Sequence, residues 1–160
     1  MRLKASIIRD NTLWKTHVTK KYVEEIAYQV MNYFPNFCNK KIEISVLLSS
    51  DAMLKELNSK RRQINEPTDV LSFPDIQLDW RNILKFNPTD KVIYLGDIAF
   101  SFDSISQFAI QNNVVFKDHF AHLLIHSILH LLGYEHDTEE GFEAMHNLEQ
   151  KILANFNIFI

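Results

Sequence analysis

The organisation of this chain follows from one stretch, His126-Ser-Ile-Leu-His130-Leu-Leu-Gly133-Tyr-Glu-His136. In an α-helix, residues four apart lie on one face and one turn from each other, so His126 and His130 would be neighbours. Gly133 can adopt the left-handed backbone conformation that ends a helix, and the following turn would carry His136 back to the same point. A catalytic zinc typically has three protein ligands, which can be imidazoles, and keeps its fourth coordination position open for water. The stretch therefore predicts a site for one zinc ion.

The helix that carries these histidines is predicted to be buried, because residues 116–132 are apolar nearly all round. At about 100° per residue, His119, His122, His126 and His130 fall within an arc of roughly 80°. Buried imidazoles need hydrogen-bond partners or a metal. His122 and His130 are about 12 Å apart along the axis, so they cannot share one ion. His122 is expected to support the site or line its cleft, and His119 to be solvated near the start of the helix.

The composition predicts one globular domain, residues 1–160, in a reducing compartment. The chain is 46% hydrophobic and contains a single cysteine, Cys38, which cannot form an internal disulfide. The N-terminus is too charged and too short in apolar residues for a signal peptide, and no stretch is long enough to span a membrane. We therefore expect a cytoplasmic protein without a membrane partner. The net charge of −3 argues against binding nucleic acid by bulk electrostatics.

The residue pattern predicts a mixture of helices and strands, which indicates an α/β (α+β) protein. Alternating apolar residues predict strands, and apolar residues at every third or fourth position predict helices. The expected strands are residues 3–8, 41–48, 70–73 and 92–101, with Gly96 marking a bulge or a close backbone approach. The expected helices are residues 17–34, 51–62, 102–112 and 116–132, and a last one capped by Thr138 and continuing through 152. Residues 75–91 are predicted to form an irregular, mobile loop.

Two further stretches accompany the histidine segment and give it a family resemblance. They are Leu57-Asn58 with Arg62, continuing to Pro67-Thr-Asp-Val-Leu-Ser-Phe-Pro74, and Leu95-Gly-Asp-Ile98. In order and spacing the three resemble the bacterial YbeY family, single-strand-specific endoribonucleases associated with maturation of ribosomal RNA. The similarity runs from about the second strand through the last helix.

The resemblance implies a single compact domain with a small mixed β-sheet and helices packed around the central histidine helix, with a zincin-like metal site. It also implies that the zinc ligands are His126, His130 and His136 and that Arg62 is functionally important. Three positions depart from the family's usual residues. Ser127 stands where glycine is frequent, Arg61 where an aromatic residue is frequent, and Glu135 where aspartate is usual.

The predicted activity is zinc-dependent cleavage of single-stranded RNA in rRNA maturation and ribosome biogenesis. A zinc-bound water has a pKa near 7 and would supply the nucleophile, while the Arg62 guanidinium would contact the scissile phosphate. The expected partners are an RNA or rRNA substrate and a ribosomal subunit or ribosome-associated protein.

Supporting roles at the metal are expected for His122, Asp69 and Ser127. For Asp69 a turn that fixes the entry to the following strand is the favoured interpretation. The roles of Thr68 and Asp97 are left open.

Two alternatives accompany this interpretation. The histidine spacing also matches metzincin peptidases, but these place a glutamate directly after the first histidine, where this chain has Ser127. The second alternative is a noncatalytic ribosome-associated protein with structural zinc. Such zinc usually has four protein ligands, often cysteines, and Cys38 lies far from the motif.

Overall fold

Four strands form the sheet around which this protein is built. The computed structural model describes residues 1–160 and contains β1 (Arg2–Arg9), β2 (Lys41–Ser49), β3 (Val70–Pro74) and β4 (Val92–Ser101). Their order in the sheet is β1-β2-β4-β3; β1, β2 and β4 run parallel, and β3 pairs antiparallel with β4. Apolar residues alternate in β2, where Ile42, Ile44, Val46 and Leu48 are all buried. The period-2 pattern therefore identified this strand correctly.

Five helices pack against the sheet, and they confirm the predicted α+β class with its small mixed sheet. They are α1 (Lys20–Met31), α2 (Asp51–Arg62), α3 (Phe102–Gln111), α4 (Phe116–Leu131) and α5 (Glu139–Ala154). α4 contacts α1, α3, α5, β3 and β4. Its residues Phe120, Leu124 and Ile128 are fully buried. The histidine helix is thus the centre of the hydrophobic core, as expected. None of the helices combines the length and the apolar character that crossing a membrane requires.

The first helix begins later than the sequence pattern suggests. α1 starts at Lys20, and the hydroxyl of Thr19 caps it by accepting a hydrogen bond from the Tyr22 N–H at 3.1 Å. Upstream, Thr12–Thr16 form a 3₁₀ turn that buries Trp14 completely, and its indole N–H donates to the Ser49 carbonyl at 2.9 Å. The expected helical start at residue 17 was therefore wrong, because the capping threonine has an extended backbone.

Two glycines have a positive φ and also lie where a side chain would not fit. Gly96 in β4 has φ +144°, next to the register shift between β2 and β4, and a Cβ there would lie 2.3 Å from the Phe73 carbonyl oxygen. This is the bulge and close approach predicted for Gly96. Gly133, after α4, has φ +92°, and its Cβ would lie 2.2 Å from the Leu78 carbonyl oxygen. Both positions require glycine for conformation and for space.

The irregular segment 75–91 is anchored to the core at several points. Its only regular element is a 3₁₀ turn, Ile83–Lys85, in which Ile83 is buried. The side-chain amide of Asn36 donates to the carbonyls of Ile83 and Phe86, at 2.9 and 2.8 Å. Trp80 stacks on Tyr134 with 5.9 Å between ring centroids. The segment is irregular, as expected, but the Asn36 bonds tie it to the 3₁₀ turn Pro35–Phe37 and the Trp80 stack ties it to the turn that follows α4.

Candidate metal centre

Three histidines converge where α4 ends. His126 and His130 lie on successive turns of α4, and His136 lies in the segment leading to α5. Each offers a ligand nitrogen, and these atoms lie within 4.8 Å of one another. The ring of His136 is 5.3 Å from that of His126 and 5.0 Å from that of His130, measured between centroids. His136 is exposed and the other two are half-buried, so the cluster opens to solvent on one side.

The backbone turn after α4 explains the convergence. The Gly133 N–H donates to the His130 carbonyl at 3.0 Å, and the Tyr134 N–H donates to the Leu129 carbonyl at 3.0 Å. These bonds satisfy carbonyls that the end of a helix leaves free. With Gly133 in the left-handed region, the chain reverses and places His136 over the last turn of α4. The role predicted for this glycine is confirmed.

Hydrogen bonds determine which nitrogen of each α4 histidine is free. Nδ1 of His126 donates to Oε1 of Glu149 at 2.7 Å, and Nδ1 of His130 donates to the Tyr134 carbonyl at 2.8 Å. A carbonyl or carboxylate oxygen can only accept, so each Nδ1 carries the proton and each neutral ring keeps a lone pair on Nε2. The two Nε2 atoms are 3.0 Å apart. Two facing lone pairs repel unless a cation lies between them.

The residues therefore fit a metal ion. Nitrogens bound tetrahedrally to one ion at about 2.05 Å are about 3.3 Å apart. The Nε2 atoms of His126 and His130 are close to that spacing at 3.0 Å, and the donor of His136 lies within 4.8 Å of them. In metal-binding histidines, the ring nitrogen that does not bind the metal usually donates a hydrogen bond to a carboxylate or a carbonyl. Imidazole suits zinc and other borderline metals. The triad can hold a metal ion, and the donor atoms of His126 and His130 are already oriented for one.

Burial keeps the centre of the triad neutral. Desolvation, together with the nearby His126, lowers the pKa of His130 to about 4, although the Tyr134 carbonyl works in the opposite direction. At neutral pH the His130 ring therefore has no proton on Nε2 to displace. A ligand that is already deprotonated favours metal binding near pH 7.

Glu149 on α5 is the important residue that the sequence analysis missed. Its carboxylate is buried, with Oε1 accepting from His126 and Oε2 lying 3.3 Å from Nε2 of His122. Burial alone would raise the pKa of this carboxyl, but the hydrogen bonds from His122 and His126 outweigh it and hold the pKa at about 2. The sequence does contain a signal, because Met145, Glu149 and Ile152 fall on one buried face of α5. A charged residue in such a stripe requires a partner.

The other predicted residues make no side-chain hydrogen bond to the triad. Arg62 is exposed at the last residue of α2. Ser127 is fully buried and its hydroxyl has no hydrogen-bond partner. The backbone carbonyl of Asp69 accepts from the Ser101 N–H at 2.9 Å, and its carboxylate accepts from the hydroxyl of Thr68 at 3.4 Å. The Asp69 carbonyl thus joins the start of β3 to the end of β4, in keeping with the favoured turn role.

Two further residues are Asp97, whose role was left open, and His119, which was expected to be solvated. Asp97 is exposed in β4 and accepts a hydrogen bond from the Tyr94 hydroxyl. His119 is half-buried rather than fully solvated: its ring stacks on Phe108 with centroids 4.0 Å apart, and its Nε2 is buried without a partner. Burial lowers the pKa of His119. The expectation for His119 was wrong because α3 covers that part of α4.

A cavity of about 880 Å³ adjoins the triad. His126 and His136 form part of its wall, together with His122 and Glu149. The remainder comes from the end of α3, the start of α4, α5 and the C-terminal residues. Such a volume is ample for a ligand, and it opens directly beside the candidate metal ligands.

Comparison with known proteins identifies the family. The family model described as Endoribonuclease YbeY matches residues 9–157. The chain belongs to the YbeY family. A YbeY relative named Endoribonuclease YbeY, from Nitrobacter hamburgensis, is 40% identical over 116 residues, which cover 72% of this chain. The matched part spans 59% of that relative's length. The resemblance inferred from the motifs is thereby confirmed.

A solved structure supports the fold of this YbeY family member. The solution structure of TM1509 from Thermotoga maritima superposes with a TM-score of 0.58 at 23% sequence identity. The superposition covers 96% of this chain and 91% of the other. The two proteins therefore share their fold.

Proposed function

We propose that this protein, with residues 1–160 acting as one domain, is a zinc-dependent endoribonuclease that cleaves single-stranded RNA. One observation carries the proposal. The Nε2 atoms of His126 and His130 face each other at 3.0 Å, beside an exposed His136, while both Nδ1 atoms are occupied. Membership of a family described as an endoribonuclease supplies the substrate class. The metal arrangement supports hydrolysis because one side of the triad is open to solvent.

In this proposal His126, His130 and His136 hold one zinc ion, which when bound supplies Lewis acidity and lowers the pKa of a coordinated water to about 7. The protein's own groups supply orientation. Glu149 holds the ring of His126, and the Tyr134 carbonyl holds the ring of His130. These bonds keep Nδ1 of each ring turned away from the ion and leave Nε2 of each ring to bind it. Preorganised ligands of this kind avoid the cost of reorientation during the reaction.

Arg62 is proposed to contact the phosphate of the RNA. Its guanidinium can donate to two phosphate oxygens at once and offset their negative charge. The side chain is exposed and follows Lys60 and Arg61 at the end of α2, so it is free to meet a nucleic acid backbone. A role in rRNA maturation in the cytoplasm, with a ribosomal subunit or ribosome-associated protein as partner, is proposed on the family resemblance.

The two alternatives have less support. A peptidase of the metzincin type needs a carboxylate after the first histidine, and Ser127 is fully buried at that position. A closed structural zinc site needs a fourth protein ligand, whereas the cluster able to hold a metal contains three histidines. Cys38 is exposed and outside that cluster.

The decisive experiment measures RNA cleavage by zinc-loaded protein. A fluorescent single-stranded RNA, the same RNA annealed to its complement, and casein are incubated with wild type and with His130→Ala, Arg62→Ala and Lys55→Ala. Lys55 is an exposed cation on the same helix and is the matched control for Arg62. We expect cleavage of the single strand by wild type and Lys55→Ala only, and its loss with a chelator. Cleavage of casein alone would contradict the proposal.

A further inference from the structure

The cavity beside the triad has a charge that does not suit phosphate. The residues lining it include no lysine or arginine, and they include the carboxylates of Asp118 and Glu149. Phosphate groups bind where cations or helix N-termini neutralise them. The start of α4 borders the cavity, but its first turn carries the carboxylate of Asp118, which opposes an anion there. A nucleotide could therefore place an uncharged part of itself in this cavity, but its phosphates must lie elsewhere.

The walls carry two flat stacks of rings. Phe108 lies on the His119 ring with centroids 4.0 Å apart and planes inclined by 14°. On α5, Phe142 lies on the His146 ring with centroids 5.5 Å apart and planes inclined by 9°. All four rings line the cavity. Phe108 is 42% exposed and Phe142 is 53% exposed, so each pair presents aromatic surface to solvent.

Polar amides accompany these rings. Asn112, Asn113 and Asn157 line the same cavity and are exposed. A side-chain amide offers both a donor and an acceptor, which can match the edge of a nucleobase. Exposed aromatic rings with adjacent amides are the means by which proteins hold unstacked RNA bases.

We propose that this cavity binds a nucleobase of the RNA strand, stacked on Phe108 or Phe142, from a nucleotide adjoining the one whose phosphate is cut. The inference rests on the proposed function. His126 and His136 border the cavity, so a strand whose backbone passes the triad can place a neighbouring base inside. A base paired in a duplex cannot enter without leaving its stack. The cavity would thus select single strands through their bases.

The test measures binding in the absence of cleavage. Metal-stripped protein in chelator is titrated into a fluorescein-labelled single-stranded RNA, and into the same RNA with abasic residues, with anisotropy as the readout. The variants are Phe108→Leu and Phe142→Leu, which keep an apolar side chain and remove the ring. Phe142→Tyr keeps the ring. Tyr28→Leu is the matched control, because Tyr28 is 42% exposed on α1 and does not line the cavity.

We expect the leucine variant of the ring that stacks the base to weaken binding of the intact RNA about fivefold or more, the range for loss of one stacked base. Abasic RNA should bind wild type as weakly as intact RNA binds that variant. Tyr28→Leu and Phe142→Tyr should match wild type. Melting temperatures near that of wild type would confirm that the variants are folded, as both phenylalanines are partly exposed.

Other outcomes would overturn the base site. If zinc-loaded wild type cleaves RNA and both leucine variants bind and cleave as well as wild type does, the base site is wrong and the nuclease proposal stands. If wild type neither binds nor cleaves RNA, both proposals fail together. Self-association of wild type that Phe142→Leu abolishes, with RNA affinity unchanged, would assign this surface to a second copy of the chain.

Discussion

Oε1 of Glu149 accepts a hydrogen bond from Nδ1 of His126 at 2.7 Å, which fixes the ring of a candidate metal ligand from a different helix. The carboxylate is almost fully buried, so solvent competes little for this bond. The packing of α5 on α4 is therefore part of the metal centre. It determines which nitrogen of the His126 ring is free to meet an ion, although α5 supplies no ligand of its own.

Glu149→Gln should weaken zinc binding. The amide keeps the size of the side chain but loses the charge that raises the basicity of the His126 ring. We expect a 10- to 100-fold loss in affinity, as is usual when the partner of a metal-binding histidine is changed. Competition with a chromophoric chelator would measure it. Glu143→Gln, at an exposed position of the same helix, is the control; equal affinities for both variants would exclude an orienting role for Glu149.

Removal of the metal should lower stability without unfolding the protein. α4 is buried through apolar residues that do not depend on an ion, so the apoprotein should retain its far-UV circular dichroism. Zinc at 1,000 times its dissociation constant should add about 4 kcal/mol to the free energy of unfolding. The shift in melting temperature with added zinc would reveal this. The shift should be absent in His130→Ala and His136→Ala, and a full shift in either would contradict the ligand assignment.

The apoprotein should become less stable as the pH falls from about 6.5 to about 4. The folded state holds the pKa of His130 at about 4, below the ordinary value of 6.5, so the unfolded chain binds this proton more readily and unfolding is favoured in that window. Above pH 6.5 the effect is absent. Glu149 does not offset it: its folded pKa of about 2 lies below the ordinary value of 4.5, so its own stabilisation is also lost as the pH falls below about 4.5.

Urea midpoints of metal-stripped wild type and His130→Gln at pH 7 and pH 5 would test this dependence. The variant removes the titrating group, so its midpoint should change less between the two pH values. An equal loss in both proteins would show that another group is responsible.

Gly133→Ala should damage both stability and the metal site. The position has φ +92°, and the added Cβ would lie 2.2 Å from the Leu78 carbonyl oxygen. Strain and overlap together should cost about 1–3 kcal/mol or more, measured by urea unfolding. Any relaxation of the turn moves His136, so zinc affinity should fall as well. Asn113→Gly is the informative companion, because Asn113 also has positive φ, at 53°, and glycine there should be tolerated. An unchanged urea midpoint in Gly133→Ala would contradict the strain argument.

Much of this protein could be predicted from local patterns. The alternation in β2, the apolar surface of α4 and the Thr138 cap of α5 each depend on residues close together in sequence, and each is as expected. The candidate triad could also be predicted from residues close together in sequence. Its three histidines lie in one short stretch, and helix geometry with a glycine turn is enough to bring their nitrogens together.

Only the tertiary structure decided the contacts between segments that are distant in the chain. Glu149 contacts His126 because α5 packs on α4, and Phe108 covers His119 because α3 also packs on α4. Neither pairing follows from periodicity, which says which face of a helix is buried but not which neighbour it meets. The cavity has the same origin, since its walls come from three helices and the C-terminus. The short stretch around Gly133 thus determined where a metal can bind, and the packing of α3 and α5 decided how that site is held and what lies beside it.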